Sequence, residues 1–331
     1  MKHANIALFV AHRGCPHQCS FCNQHIISGT VSSVTAQDIK DAITNAKNSG
    51  CNNAQLAFFG GSFTAIERDY MESLLKAAKP FVDNGDISGI RVSTRPDAIN
   101  EEVLQLLKFY GVEAIELGAQ SMDDEVLVLN ERGHTAQDVV KASKLIKLHG
   151  FELGLQMMTG LFGDTYDKCI RTAKELAKLM PDTIRIYPTV VLENTKLEQL
   201  YKSGVYKPQS LDNAVCLCSQ LLSFFDNEQI QVIRLGLHSG GSVEQGFVAG
   251  AYHPAFRELC ESAIYLEKAK KEILEIPKGK LVIFVSPSEV SKMIGQKKYN
   301  IKQLQKYGYE CKVKQDKALK KYEIRAEEGG L

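Results

Sequence analysis

The chain has 331 residues, of which 44% are hydrophobic and 24% charged, and its formal net charge is +1. This ordinary globular composition excludes extensive disorder, and the balanced charge excludes a broad field that would attract a polyanion to the whole molecule. The apolar runs are too short to span a bilayer and no cleavage site follows the N-terminal run, so we expect a cytoplasmic protein without a membrane partner.

The first predicted strand, NIALFVAH, runs into a loop in which three cysteines lie close together. Cys15, Cys19 and Cys22 fall within GCPHQCSFCNQ, whereas the remaining cysteines are scattered. A reducing compartment keeps thiols free, so this cluster indicates a metal site rather than disulfides. Two sites fit: zinc closed by a fourth, histidine ligand, or a 4Fe-4S cluster that keeps one iron free of protein ligands. The candidate histidines are His12, His17 and His25.

Beyond this loop, short apolar runs alternate with amphipathic helical stretches up to about residue 240, which predicts βα units around a parallel sheet. The first helix, TAQDIKDAITNAKNSG, has Thr35 as its N-cap and Gly50 as its stop. In such folds the carboxyl ends of the strands carry the site. A seventh strand, IQVIRLGLH, follows the helix LDNAVCLCSQLLSFF. The strands between the first and the seventh are AQLAFFGG, GIRVSTRPD, VEAIELGAQS, ELGLQMMTG and TIRIYPTVV.

The pattern changes towards the C-terminus. We predict a barrel over residues 1–240, an irregular extension of it over 241–278, and a small basic domain over 279–331, after a boundary at KAKKEILEIPKGK. The last segment has the order strand, helix, loop, helix, strand, strand. From residue 292 to residue 325 it carries 11 Lys and Arg against three Asp and Glu, so the basic charge is concentrated there.

The cysteine loop resembles the signature of the radical S-adenosylmethionine (SAM) enzymes, because three and then two residues separate its cysteines and Phe21 precedes the last one. The resemblance implies an α/β fold, a partial (βα)6-type barrel, in which Cys15, Cys19 and Cys22 hold a 4Fe-4S cluster. In that superfamily the open iron binds SAM, which is cleaved reductively to methionine and a 5′-deoxyadenosyl radical. An electron donor such as flavodoxin or ferredoxin is then expected.

Two rim motifs fit this resemblance. FFGGSF places Gly60 and Gly61 after the second strand, like the superfamily's glycine motif, with Ser62 where many members have Glu. STRPD places Ser93 and Arg95 at the end of the third strand, where they could bind ribose or carboxylate, or form only a capped turn around the proline. The cofactor-binding residues that we predict are Phe21, Gly60, Gly61, Ser62, Ser93, Arg95, Gln120 and Arg132.

STRPD, ELGAQS, NERGHT, IYPTVVLENTKL and AYHPAFREL together resemble the catalytic subunit of Elongator, which modifies tRNA wobble uridine, over roughly residues 5–265. The resemblance implies catalytic roles for Gln120, Arg132 and Tyr187. It also implies rim positions for Ser121, His134 and Thr189, each of which could instead be structural, and we expect His253 to be a turn residue. The Elongator subunit has wider spacing before its last cysteine pair and an acetyltransferase domain, which we expect this chain to lack.

The order of elements after residue 279 resembles a KH-type RNA-binding fold, whose GxxG loop clamps the nucleic-acid backbone. IGQKKYNI has Gly295 at the first glycine position but Lys298 at the second. Gly295, Lys297, Lys298 and Lys302 are the predicted RNA-binding residues, with a basic solvated face as the alternative.

These observations predict a radical SAM enzyme that modifies a nucleoside in RNA, with tRNA as the expected partner. One alternative is radical SAM chemistry on a small molecule or a protein. A second is a zinc-stabilised RNA-binding protein.

Overall fold

The computed structural model describes residues 4–10, 15, 18–23, 26–27, 33–51, 53–237 and 241–329. Among these residues, no helix combines the length and the apolar composition that crossing a membrane requires.

The centre of the molecule is a seven-stranded, all-parallel sheet that curls into a half-barrel and whose first six strands follow one another in chain order. Neighbouring strands are joined through helices, as the alternating pattern predicts. The strands are β1 (Ala4–Val10), β2 (Ala54–Gly60), β3 (Gly89–Thr94), β4 (Val112–Gln120), β5 (Glu152–Thr159), β6 (Thr183–Pro188) and β8 (Gln231–Leu235).

The helices pack on the outer face of this sheet through apolar stripes. In α1, Ile39 and Ile43 lie on one face and are fully buried, and a capping box between Thr35 and Asp38 starts the helix where the sequence predicts it. The helices up to residue 272 are α1 (Ala36–Asn48), α2 (Arg68–Asp83), α3 (Glu101–Phe109), α4 (Asp124–Leu129), α5 (Ala136–Leu148), α6 (Tyr166–Ala177), α7 (Lys196–Lys202), α8 (Leu211–Asn227), α9 (Gly241–Gln245) and α10 (Phe256–Glu272).

Two details differ from the sequence prediction. TIRIYPTVV forms two strands, because the chain leaves the main sheet after β6, and β7 (Val190–Leu192) pairs antiparallel with β9 (Phe247–Gly250). The stretch from residue 241 is also more regular than predicted, since it contains α9, β9 and α10. The Ala, Lys and Glu residues of the predicted boundary favour helix, and α10 continues through them to Glu272.

The C-terminal unit is a small α+β structure with a three-stranded sheet in the order β11-β10-β12. Its apolar face packs on α10, and Leu281, Ile283 and Leu304 belong to the same continuous core as the barrel residues. The predicted fold class is therefore confirmed, whereas the three domain bounds stay a prediction. The elements are β10 (Gly279–Val285), α11 (Val290–Ile294), α12 (Tyr299–Lys306), β11 (Tyr309–Gln315) and β12 (Ile324–Glu328).

Candidate active site

The carboxyl ends of the first four strands lie side by side and carry most of the predicted site residues. The cysteine loop follows β1, Ser62 follows β2, Arg95 follows β3 and Gln120 ends β4. These are neighbouring positions on one rim because the strands are parallel and adjacent in the sheet.

The cysteine loop is anchored from below by an asparagine that sequence reasoning missed. Ser20 is fully buried, its hydroxyl donates to Asn130 Oδ1 over 2.9 Å, and its N–H donates to the Asn130 carbonyl over 3.2 Å. The side-chain amide of Asn130 donates in turn to the carbonyl of Phe162 over 2.8 Å. Asn130 is the first residue of the NERGHT motif, so the motif marked the segment but gave no reason to select this residue.

Arg132 connects the cysteine loop with the end of β4. Its Nη1 donates to Cys19 Sγ over 3.0 Å, and its Nη2 donates to the carbonyl of Gly118 over 2.7 Å. The side chain is buried and has no carboxylate partner among the described residues. A thiolate at Cys19 would therefore receive a charge-assisted hydrogen bond.

Cys15 borders the space between Cys19, Arg95 and Arg132, which we call the hollow, although the residue as a whole is exposed. Desolvation raises the pKa of its thiol and the neighbouring Cys19 raises it further, whereas Arg95, Arg132 and the Ser62 N–H oppose this shift. Cys22 is half-buried, and its N–H donates to the Cys19 carbonyl over 3.0 Å. The hollow thus collects two of the cysteines and two guanidinium groups.

The described part of the cysteine loop is compatible with an iron-sulfur cluster. No three of the described Cys, His, Asp or Glu side chains converge on one ion position. A 4Fe-4S cluster does not require this, because each thiolate binds a different iron. His12, His17 and His25, the candidate zinc ligands, lie outside the described residues.

Four buried polar atoms beside the hollow have no hydrogen-bond partner among the described residues, which is unusual in a folded interior and indicates room for a polar ligand. They belong to a group that we call the rim cluster. The four atoms are Arg95 Nη1, Gln120 Oε1, Arg132 Nε and His134 Nδ1.

Gly60 has a structural reason to be glycine in addition to its predicted cofactor role. Its φ is +109°, and an added Cβ would lie 3.0 Å from the carbonyl oxygen of Val10 in β1. Gly61 follows, and its N–H donates to the same carbonyl over 3.2 Å. The two glycines therefore hold the end of β2 against Val10, the last residue of β1.

Ser62 and Arg95 are fixed by bonds within the protein. The Ser62 hydroxyl lies 2.8 Å from Thr94 Oγ1 and accepts the Arg95 N–H over 3.2 Å. The Arg95 guanidinium forms a two-point ion pair with Asp97, both distances 2.9 Å, and also donates to the Arg132 carbonyl. STRPD thus forms a short turn over Pro96–Ala98 without a side-chain cap, and Arg95 Nη1 has no hydrogen-bond partner among the described residues.

Gln120 sits at an irregularity in the pairing of β4 with β5. Its φ is +66°, a left-handed conformation that is costly for a residue with a side chain. Gly118 makes room for it, since a Cβ there would lie 2.9 Å from Gln120 Nε2 and 3.4 Å from Arg132 Nη2. This strained backbone turns the Gln120 amide towards Arg132.

His134 is buried next to Arg132 and bonds through Nε2 to the Ala119 carbonyl over 3.2 Å. Burial and then the charge of Arg132 lower the pKa of its imidazole from 6.5 to about 4. The ring is therefore neutral at pH 7, with Nε2 protonated for the Ala119 carbonyl and Nδ1 free to accept.

Inside the barrel, below the rim, lies a second group that we call the lumen cluster: Arg91, Glu116, Gln156 and Arg185. Glu116 is 1% exposed and accepts from Arg91 over 3.3 Å, from Arg185 over 2.8 Å and from Gln156 over 3.0 Å. Glu116 is the first residue of the ELGAQS motif, so the motif marked the strand but gave no reason to select this residue.

Two predicted site residues border the lumen cluster rather than the hollow at the cysteines. Ser93 accepts a hydrogen bond from Gln156 Nε2 over 3.0 Å. Tyr187 lies beside Arg185, and burial raises the pKa of its phenol.

The remaining predicted residues have local partners. Phe21 packs against the small apolar cluster of Val191, Leu197 and Tyr206. The Ser121 hydroxyl accepts the Asp123 N–H over 3.1 Å, and His253 Nδ1 accepts the Ala255 N–H over 3.0 Å, as expected of a turn residue. Thr189 is buried.

The predicted RNA-binding residues lie far along the chain, in the loop between α11 and α12 and in α12. Gly295 is buried with φ +76°, and a Cβ there would lie 2.9 Å from Ser262 Oγ. Lys297 and Lys298 are exposed and left-handed, with φ +51° and +61°. Position 298 thus has the conformation that glycine would favour, and Lys302 is exposed one turn into α12.

Comparison with protein families identifies the barrel. The model of the Radical SAM superfamily matches residues 9–176, which is just over half of the chain, and the Radical_SAM C-terminal domain matches residues 181–266. The chain belongs to the radical SAM superfamily. Its members are enzymes that bind a 4Fe-4S cluster and SAM, so the predicted cofactors are confirmed at the level of the family.

Curated relatives confirm the resemblance to Elongator. The tRNA uridine(34) acetyltransferase of Methanocaldococcus jannaschii is 30% identical over 51% of this chain and 35% of the relative. Elongator complex protein 3 of Homo sapiens is 33% identical over 41% of this chain and 25% of the relative. The chain spans about a third or less of the length of these two relatives. An uncharacterized protein of M. jannaschii is 29% identical over 63% of this chain and 68% of that protein.

Solved structures support the fold. The archaeal Methanocaldococcus infernus Elp3 superposes with a TM-score of 0.63 at 22% identity, covering 81% of this chain and 63% of that one. The predicted half-barrel is therefore confirmed by structural similarity as well as by the strand order.

Proposed function

We propose that this radical SAM enzyme modifies a nucleoside in RNA, with tRNA as the substrate class. The observation that carries the proposal is the loop Gly295–Lys298, which presents two adjacent, exposed lysines without a carboxylate partner among the described residues. Relatives named tRNA uridine(34) acetyltransferase support the same substrate class.

Cys15, Cys19 and Cys22 would hold the cluster, with Arg132 donating to the Cys19 sulfur. SAM bound there supplies, on one-electron reduction, a 5′-deoxyadenosyl radical that abstracts hydrogen from the substrate. A flavodoxin or ferredoxin would provide the electron. The hydrogen bond from Arg132 places positive charge at one cluster ligand, and such outer interactions commonly tune a metal site.

The rim cluster would orient SAM and the target nucleoside. Arg95 Nη1 and Arg132 Nε can donate to a carboxylate or ribose oxygen, whereas Gln120 Oε1 and His134 Nδ1 can accept from an amine or hydroxyl. Gly60, Gly61, Ser62 and Phe21 would shape the wall beside the cysteine loop. Tyr187 would contact the substrate from the end of β6, with Ser93 nearer to the barrel floor.

Lys297, Lys298 and Lys302 would neutralise backbone phosphates, and Gly295 would give the loop its close approach to Ser262. Two consecutive left-handed lysines cost about 1–3 kcal/mol each, a cost that natural proteins tend to retain at functional sites. The loop would hold the RNA while the target nucleoside enters the rim.

The test is retention of bulk tRNA by the full chain as salt is raised. Replacing Lys297 and Lys298 with Glu should abolish salt-dependent retention, because two phosphate contacts become repulsive. The matched control makes the same charge change at Lys144 and Lys174, which are exposed on α5 and α6. Equal retention by the loop variant, the control and the wild type would contradict the proposed substrate class.

A further inference from the structure

A cavity of about 450 Å³ separates the open edge of the barrel from the C-terminal unit. Its walls come from β8 and the residue that follows Gly236, from the start of α10, and from α11. The polar residues that line it are Arg234, Arg257, Glu258, Glu261, Ser291 and Lys292.

One acidic residue of this cavity is already neutralised. Glu261 is buried and pairs with Arg257 over 3.1 Å and with Lys292 over 3.0 Å. These partners lower the pKa of its carboxyl against the effect of burial, so the group is ionised at neutral pH. Arg257 also donates through Nη1 to the Val232 carbonyl on the open edge of β8, over 2.8 Å.

Arg234 differs from the other two cations because it has no carboxylate within ion-pair distance among the described residues. Its Nε donates to the Gly236 carbonyl over 3.1 Å, and the rest of its half-buried guanidinium is left without a partner there. Glu258 lines the same cavity but is exposed and forms no ion pair with it in the described part of the chain.

Other positive charges lie close to Arg234. Arg234 is paired in register with Arg185 across β8 and β6, and burial, together with the charges of Arg185 and Arg257, lowers its pKa against the effect of Tyr187. The carboxylate of Glu116 is taken up by the lumen cluster. A cation in this position is stabilised by an anion that enters the cavity from outside.

We propose that this cavity binds a backbone phosphate of the RNA substrate, with Arg234 as the residue that contacts it. The inference rests on the proposed function and adds a second anchoring point to it. Arg257 and Lys292 line the same cavity but remain paired with Glu261, and Lys292 also pairs with the buried Glu289 over 3.0 Å, so Arg234 is the cation left to contact the phosphate.

The position of the cavity connects the two proposed functional regions. Lys292 in α11 lines it, and the loop Gly295–Lys298 begins three residues later, about 4.5 Å further at the rise of a helix. On the other side, β8 is three strands from β4, or about 14 Å at 4.8 Å per strand. The cavity is thus next to the basic loop along the chain and about 14 Å across the sheet from β4, which carries Gln120 of the rim cluster.

The experiment measures binding of labelled bulk tRNA to the full chain over a series of salt concentrations. In Arg234→Gln the slope of log Kd against log salt should fall by about 0.7–0.9, the loss of one phosphate contact. Arg234→Lys should restore most of it. The control, Arg171→Gln, removes an exposed charge on α6 and should leave the slope unchanged. We expect Arg234→Gln to fold, since no buried carboxylate loses its partner.

Each outcome is decisive. Failure of the wild type to retain tRNA would overturn the proposed function and this inference with it. Retention by the wild type with an unchanged slope in Arg234→Gln would overturn this inference alone. A thermal shift in inorganic phosphate that depends on Arg234, with an unchanged tRNA slope, would assign the cavity to a free anion and contradict an RNA phosphate.

Discussion

The lumen cluster and the rim cluster use similar side chains and share contributions from β3 and β4, but they differ in how completely those side chains are paired. In the lumen, Arg91 and Arg185 both reach the carboxylate of Glu116. At the rim, Arg132 has a thiol and a carbonyl as partners, and Arg95, Gln120 and His134 each leave an atom unused. Buried polar groups that satisfy one another stabilise a fold, whereas unsatisfied groups indicate a place for a ligand.

The largest effect is expected from the cysteines above the rim. Replacing Cys15, Cys19 or Cys22 with Ala should abolish 5′-deoxyadenosine formation, because each change would remove one of the proposed cluster ligands. Bound iron and the absorbance of the reconstituted protein should fall in parallel. A triple variant that still forms 5′-deoxyadenosine would refute the assignment.

Glu116→Gln tests the lumen side of the comparison. Removing the carboxylate leaves Arg185 without its charged partner in a buried site, which should lower the free energy of unfolding by about 3–5 kcal/mol. Urea unfolding of the purified protein measures this. An unchanged midpoint and slope would mean that the lumen cluster does not stabilise the barrel.

His134 gives the rim a pH dependence. Its folded pKa of about 4 lies below the unfolded value of 6.5, so it contributes stability that is present above pH 6.5 and is lost as the pH falls towards 4. Between pH 7.5 and pH 4, wild type should lose about 3 kcal/mol more unfolding free energy than His134→Gln. Parallel pH profiles for the two proteins would contradict a buried neutral imidazole.

Arg132→Met tests whether a rim residue affects activity rather than stability, in contrast to Glu116 in the lumen. The variant loses its bonds to Cys19 and Gly118 without leaving a carboxylate unpaired, so stability should change little while 5′-deoxyadenosine formation falls by about 10–100-fold. Loss of the positive charge should also shift the reduction potential of the cluster in Arg132→Met, which is measured by electron paramagnetic resonance. Arg132→Lys keeps the charge and should therefore recover part of the activity and part of the wild-type potential. Activity at the wild-type level in Arg132→Met would place Arg132 in a structural role.

The smallest effect concerns the basic loop. Lys298→Gly relieves one left-handed lysine and should raise the free energy of unfolding by about 1 kcal/mol while it removes one phosphate contact. Thermal or urea unfolding together with the salt slope of tRNA binding separates these effects. Lower stability in the variant would show that the lysine side chain, rather than the backbone, fixes the loop.

The barrel could be predicted because the sequence patterns that indicate it involve residues close together in the chain. Short apolar strands, capped helices and the order of elements can be recognised in short windows of sequence, and so can the spacing of Cys15, Cys19 and Cys22. Asn130 and Glu116 could not be selected in this way, since their importance comes from partners far away in the chain. The strands β7 and β9 were not predicted for the same reason, because each is short and pairs with the other, which is distant in the chain.

The C-terminal loop shows a different limit. Its predicted place between two helices is confirmed, but its left-handed lysines carry no local signal, since glycine and not lysine is the residue that indicates this conformation. Gly295 therefore indicated one of the loop's left-handed positions, whereas those at Lys297 and Lys298 could not be predicted from the sequence.

The most direct test is to reconstitute the protein anaerobically with iron and sulfide, reduce it in the presence of SAM, and quantify 5′-deoxyadenosine with and without bulk tRNA. We predict a bound cluster and product formation that rises with tRNA and is absent from the triple Cys-to-Ala variant. Tightly bound zinc with neither cluster nor product would contradict the central claim and make the cysteine loop a structural knuckle.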